Sequence, residues 1–267
     1  MQLKIASLNL RHDKPDPGNN AWIVRRQAVA ALVSEHAPDI MGTQEGKPNQ
    51  LLDLHRLLPD YQSVGRDRSG NSLGEHCAIF YRSGLLQPLA TGDFWLSDTP
   101  EIVGSISPDW ANRHPRMVTW VQFAVKGWST TMTVFNTHLD YESAKARELG
   151  AKLISDRLSK LNLSTSFLFL TGDFNTAPGT LPRDTLTGKL SNGVEMLDAL
   201  AGLELAQQMS YHEFSGQAFA PVDTIYYDSR VHLCNAQVDR RRWAEILPSD
   251  HFPVIAEFTA KELNFST

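Results

Sequence analysis

The sequence predicts an α/β (α+β) sandwich with mixed β-sheets, folded as a single domain over residues 1–267. Three observations carry the prediction. Short apolar runs rich in β-branched and aromatic residues recur from end to end. Two long segments between them have helical spacing, and no low-complexity linker or solenoid-period repeat divides the chain. Strands and helices interleave early and the end is mostly strands with long loops, which favours mixed sheets over a pure βαβ barrel.

Taken in order, strands are expected at about 3–10, 38–44, 77–82, 116–125, 130–138, 166–173, 222–227, 231–238 and 252–259. Residues 22–36 place Val24, Ala28, Ala31 and Leu32 on one helical face. Residues 142–161 do the same with Ala146, Leu149, Leu153, Ile154, Leu158 and Leu161. Shorter helices fit 48–58 and 181–188.

Composition narrows the class. At 42% hydrophobic and 21% charged the chain is globular, which excludes collagen-like, coiled-coil and disordered readings. Lys and Arg number 25 against 30 Asp and Glu, a formal charge of −5, which argues against coating nucleic acid through a broad basic surface. Cys77 and Cys234 are the only cysteines; they give no disulfide framework and favour a reducing compartment. Residues 1–5 run straight into a strand without an apolar leader, and no stretch reaches the roughly 18 apolar residues of a membrane span. The expectation is a cytoplasmic protein, with secretion left open through a signal peptide already removed.

No Gly-x-Ser-x-Gly elbow, Walker loop, Gly-x-Gly-x-x-Gly, His-Glu-x-x-His or Cys-x-x-Cys pair occurs. Apolar strands instead stop at an acid, an amide or an imidazole: at Asn9, at Gln44-Glu45, at Asn136-Thr137-His138, and at Gly172-Asp173-Phe174-Asn175. Val222-Asp223-Thr224-Ile225-Tyr226 belongs to the same set, and Ser249-Asp250-His251 runs the other way, opening the last strand. Strand ends in a layered α/β protein converge on one sheet edge, where ligands bind. Carboxylates sharing a crevice repel unless a cation or a proton intervenes. Oxygen donors such as Glu45, Asp173 and Asp250, with the amides of Asn9 and Asn175, suit Mg²⁺ or Mn²⁺, and such a site points to phosphoryl chemistry. His138 and His251 add imidazoles for proton transfer near neutrality.

Each residue alone has an ordinary explanation. Asp173 and Asn175 are good turn formers, Glu45 before Gly46 fits a solvated loop, and Ser249-Asp250 fits turn punctuation. His212 fits a core or loop histidine better than a ligand. Trp22 fits a helix core, and Trp95 and Trp110 fit either packing or a substrate wall. Asp223 fits the bland reading poorly, since an acid inside an apolar strand is costly without a partner. The joint placement of all six segments carries the functional reading.

Together with Asp140, and in this order over residues 9–251, these segments resemble the endonuclease/exonuclease/phosphatase (DNase I-like) superfamily. That superfamily includes DNase I-like nucleases, apurinic endonucleases, inositol polyphosphate 5-phosphatases, sphingomyelinases and deadenylases. Phe94-Trp95-Leu96-Ser97 and Pro115-Arg116 are similar to its uncharacterised bacterial branch. The resemblance implies a four-layer sandwich, two mixed β-sheets face to face with helices outside, and a divalent-metal site holding Mg²⁺, with Mn²⁺ or Ca²⁺ as alternatives.

It also implies roles. Glu45 is the principal metal ligand, helped by Asn9 and Asp250. Asp173 positions or deprotonates the attacking water, and Asn175 donates to phosphoryl oxygens. His251, paired with Asp223, acts on the phosphate or the nucleophile. His138 binds phosphate or assists the leaving oxygen, oriented by Glu75. Arg116 or Arg113 supplies a phosphate clamp, with His212 as a weaker substrate contact. Many members carry Arg before the Val/Ile-Asp strand, where this chain has Pro221, so any phosphate contact from that position is lost.

The expected function is therefore a metal-dependent phosphoesterase acting by in-line attack of water on a phosphodiester or phosphomonoester, nucleic acid included among its substrates, with no protein partner implied. The alternative from a different class is a non-catalytic binding module on the same fold.

Overall fold

The computed structural model describes residues 1–263. Its elements follow in order: β1 (Gln2–Asn9), α1 (Trp22–His36), β2 (Ile40–Gln44), α2 (Pro48–Leu57), β3 (Tyr61–Val64), β4 (Ile79–Arg82), β5 (Leu86–Trp95), β6 (Met117–Val125) and β7 (Thr131–His138). The second half continues with α3 (Ala144–Leu158), β8 (Ser166–Asp173), α4 (Leu181–Thr185), β9 (Gly188–Lys189), β10 (Glu195–Asp198), α5 (Leu205–Gln208), β11 (Asp223–Asp228), β12 (His232–Val238) and β13 (Val254–Thr259).

Two mixed sheets result. One has the strand order β12-β13-β1-β2-β4-β3 and the other β5-β6-β7-β8-β11-β10-β9. Each holds a parallel pair, β1 with β2 and β7 with β8, among antiparallel neighbours. Side chains alternate across each strand, so Ile5, Ile40, Ile79, Val134, Phe169 and Ile225 meet between the sheets. The opposite faces carry Ala6, Leu8, Met41 and Phe80 against Val29, Leu32, Val33 and Leu54 of α1 and α2. Phe135, Leu168 and Leu170 pack against Ala151, Ile154 and Leu158 of α3. Burial on both faces explains the near-continuous apolar strands, and the helices outside complete four layers.

At Gly42 the two sheets approach so closely that no side chain fits. A Cβ there would lie 2.0 Å from Thr171 Oγ1 and 2.8 Å from Asn136 Oδ1.

Several elements depart from the sequence expectation. The helix expected over 142–161 is shorter, because Ser143 caps it by accepting the Ala146 N–H and the Asp140 carboxylate holds the preceding turn. Strands β3, β5, β9 and β10 and helix α5 have no counterpart in the expected set. β5 lies at a sheet edge, carries Pro88 and Gly92, and has a register shift at Pro88/Ala90. Such edge strands lose the apolar run that marks a buried one. Trp22, Trp95 and Trp110 are all buried in packing.

Candidate active site

The topology brings the polar strand ends to one edge. Asn9 ends β1 opposite Gln44 of β2, while His138 of β7, Asp173 of β8 and Asp223 of β11 lie side by side in register. β13 runs antiparallel to β1, so the segment that enters it brings Asp250 and His251 to the same edge. Arg25 of α1 secures that segment: its buried guanidinium donates to the carbonyls of Leu10 (3.0 Å) and Pro248 (2.7 Å).

A cavity of about 660 Å³ opens there, with Glu45, Asp173, Asp250, His138 and His251 on its walls. Glu45 follows β2 with φ +63°, a left-handed conformation that turns its side chain out of the strand. Its Oε1 accepts from Asn9 Nδ2 at 3.1 Å, and its Oε2 accepts the His12 backbone N–H at 3.0 Å with His12 Nδ1 2.8 Å away. Burial opposes its charge, but the hydrogen bonds from His12 prevail and hold it well below the usual carboxylate range.

Asp173 lies at the centre. Its Oδ2 accepts from Asn9 Nδ2 (3.0 Å) and lies 3.5 Å from His138 Nε2 and 3.8 Å from His251 Nε2. Its Oδ1 accepts the Asn175 backbone N–H at 2.9 Å. Burial, reinforced by repulsion from Asp223, pushes its carboxyl up to about 7. His251 Nδ1 donates to Asp223 Oδ2 at 2.8 Å, and Ser210 Oγ donates to the same oxygen at 2.6 Å. Burial disfavours the imidazolium, yet Asp223 and Asp173 outweigh it and raise His251 to about 10. His138 is driven the other way, well below its ordinary value, by burial and by Arg116. One imidazole is therefore charged at neutral pH and the other is not.

Among the described residues, two groups place donor atoms within 4.8 Å of one another, His12 with Glu45 and Glu75, and Asp173 with Asp223 and His251. Hard oxygen donors dominate both, and the repulsion from Asp223 that adds to burial in raising Asp173 is of the kind a cation relieves. The residues thus fit a divalent ion.

The family model described as Endonuclease/Exonuclease/phosphatase matches residues 6–251. The chain belongs to that family. An endonuclease/exonuclease/phosphatase family protein from Bacteroides thetaiotaomicron is 30% identical with a TM-score of 0.86, covering 98% of both chains. A mannosyl-6-phosphatase from the same species is 31% identical with a TM-score of 0.85, covering 96% of this chain and 99% of its own. D. rerio TDP2 bound to a single-stranded DNA product shares the fold, with a TM-score of 0.75 at 16% identity, covering 97% of this chain and 99% of its own. No curated protein sequence matches the chain.

Within this endonuclease/exonuclease/phosphatase frame, several expected residues take different positions. Asn9 bridges Glu45 and Asp173 through its amide N–H groups, and its Oδ1 accepts the Arg11 backbone N–H. Asp250 Oδ2 lies 3.4 Å from Arg11 Nη1, and burial raises its carboxyl. Glu75 does not orient His138: both its oxygens are held at 2.8 Å by Arg68. Arg113 lies outside the cavity, 77% exposed and paired with Glu142, because its segment turns away before β6. His212 is fully buried against Phe252 (ring centroids 4.0 Å apart), away from the cavity, and burial pushes it down to about 3.

Arg116 does reach the cavity. Asp140 accepts from its Nε at 3.3 Å, while Nη1 is buried with no hydrogen-bond partner among the described residues. Asn175 lines the wall with φ +51°, one amide N–H donated to the Leu139 carbonyl. The sequence reading missed Arg11, His12, Arg68, His114, Tyr141 and Tyr211, which also line the cavity. Arg11-His12 lies two residues beyond Asn9, a signal present in the sequence; the others sit on loops with no pattern to mark them.

Proposed function

We propose that the chain is a divalent-metal-dependent phosphoesterase that hydrolyses a phosphomonoester of a small polar molecule by in-line attack of water. The observation that carries this reading is Asp173, a buried carboxyl poised near neutrality and facing an imidazolium held by Asp223. A base titrating near the working pH extracts a proton most effectively, typically contributing about 10²–10⁴-fold. Asp173 therefore accepts the proton of the attacking water. His251, charged and fixed through Nδ1 by Asp223, turns Nε2 to a phosphoryl oxygen and stabilises the charge that develops there. Asn175 and Arg116 donate to the remaining oxygens, and neutral His138 serves the leaving oxygen. A divalent ion held at Glu45 would add positive charge at the phosphoryl group when bound.

Two features favour a monoester. The site is a cavity of about 660 Å³, a volume that suits a small molecule, and Arg11, Arg68 and Arg116 line it alongside the acids, which suits a dianion. The 31% identical relative is named as a sugar phosphatase, which agrees with a small polar substrate. The net charge of −5 gives no support to long duplex DNA.

The test is inorganic phosphate release from sugar phosphates, measured beside cleavage of bis-p-nitrophenyl phosphate, phospholipid and DNA, each with Mg²⁺ and with EDTA. Metal-dependent release from monoesters is expected. Faster cleavage of diesters overturns the substrate assignment, and absence of turnover on the whole panel favours the non-catalytic module.

A further inference from the structure

We propose that the cation at Glu45 takes His12 Nδ1 as a nitrogen ligand, which makes the centre a mixed nitrogen and oxygen site selective for a borderline divalent ion over Mg²⁺. The inference rests on Glu45 as the cation's anchor, and it concerns a residue outside the expected ligand set.

The geometry is specific. His12 Nδ1 and Glu45 Oε2 stand 2.8 Å apart. Two donors about 2.0–2.1 Å from one ion, at right angles to each other, lie roughly 2.9 Å apart, so this pair already spans one edge of a coordination sphere. Glu75 Oε1 is 3.9 Å from the same nitrogen, and the three donors lie within 4.8 Å of one another on the cavity wall. The surroundings leave room for an ion at Glu45 Oε2 and His12 Nδ1, while both Glu75 oxygens already accept from Arg68. Oε1 of Glu45 is occupied by Asn9, and Oε2 keeps one lone pair after accepting the His12 backbone N–H. Among the described residues the His12 ring has no other hydrogen-bond partner, so its Nδ1 can exchange Glu45 for an ion shared with it. Arg68 holds Glu75 in place on the far side.

Mg²⁺ prefers oxygen ligands and keeps much of its water, whereas imidazole suits Zn²⁺ and its neighbours in the first transition row. A nitrogen at this position therefore biases the centre away from Mg²⁺.

The test reads metal binding directly, separately from turnover, so a failure of the phosphoesterase reading and a failure of this one are distinguishable. Co²⁺ and Mg²⁺ are titrated into the whole chain and into His12→Phe and His12→Asn. Both substitutions are expected to weaken Co²⁺ by more than about a hundredfold, beyond the roughly 10–100-fold typical of an outer-shell partner, and to weaken Mg²⁺ far less. The Co²⁺ protein is also expected to show a paramagnetically shifted, solvent-exchangeable imidazole N–H resonance that His12→Phe lacks. Equal losses for both ions, or recovery of Co²⁺ affinity in His12→Asn, reduce His12 to a hydrogen-bond donor and overturn the proposal. Absence of any shifted imidazole N–H in the unaltered protein overturns it without reference to a variant.

Discussion

Gln44 of one sheet donates through Nε2 to Oδ1 of Asn136 in the other at 2.7 Å, a side-chain hydrogen bond that crosses the core one residue before Glu45. Asn136 also donates to the carbonyls of Thr43 (2.8 Å) and Ala78 (3.0 Å) and accepts from Thr171 Oγ1 (3.0 Å). All of its polar capacity is used, and it is fully buried. The network fixes how the β2 end meets β7 and β8, and through it the distance from Glu45 to His138 and Asp173.

Asn136→Ala leaves buried donors and acceptors unmatched, each costing about 1–3 kcal/mol. Urea unfolding is expected to show a loss of roughly 2–4 kcal/mol. A loss below 0.5 kcal/mol removes the network from the account.

Gly42→Ala tests the contact between sheets. Its Cβ meets Thr171 Oγ1 at 2.0 Å and the Asn136 side chain at 2.8 Å, and neither belongs to a flexible end. Overpacking of this kind costs about 1–3 kcal/mol, so the variant is expected to melt several degrees lower. An unchanged melting temperature shows that the sheets part more readily than their packing indicates.

Asp173 sets the pH response. Its folded value is raised from 3.8 to about 7, so the folded state holds this proton more tightly than the unfolded state does. The sign follows from linkage: without added cation, its contribution to stability is complete below about pH 4 and is lost as pH rises through about 7. Mg²⁺ relieves the repulsion, and its thermal stabilisation is expected to be larger at pH 8 than at pH 5. The acid limb of the rate profile is expected near pH 7 and to move lower with more Mg²⁺. Asp173→Asn is expected to lower turnover by at least about 10²-fold without unfolding, and near-normal turnover in the folded variant sinks the role of base.

Asp223 and His251 form one unit. Their single alanine variants are each expected to lose most of the activity, and the double variant little more. Because His251 is raised from 6.5 to about 10, the contribution of its charge to stability is full below about pH 6.5 and lost as pH rises through about 10. Asp223→Asn removes the partner, so the alkaline limb is expected to move toward neutrality. Additive losses, or an unmoved limb, separate the two residues.

Much of this architecture was legible in the sequence because the relevant signals are local. Ile5 to Asn9, Val134 to His138 and Phe169 to Asp173 each read as a buried strand ending in a polar group, and the structure sets those ends side by side. Asp223 stood out because an acid in an apolar strand needs a partner, and His251 is that partner. Signals that depend on distant neighbours were not legible. Whether Glu75 faces His138 or Arg68 is decided by a loop conformation, and Arg113 and Arg116, three residues apart, separate only because one precedes the strand turn. β5 was hidden by its edge position, and His212 by a core that tolerates an imidazole stacked on Phe252.

Arg25 gives the molecule one more property. Its guanidinium grips main-chain oxygens from opposite ends of the polypeptide, Leu10 and Pro248, and no fragment lacking either region can reproduce the grip. Amides around Leu10 and Pro248 should then exchange with deuterium only through global opening, so that this corner reports the cooperativity of the whole fold.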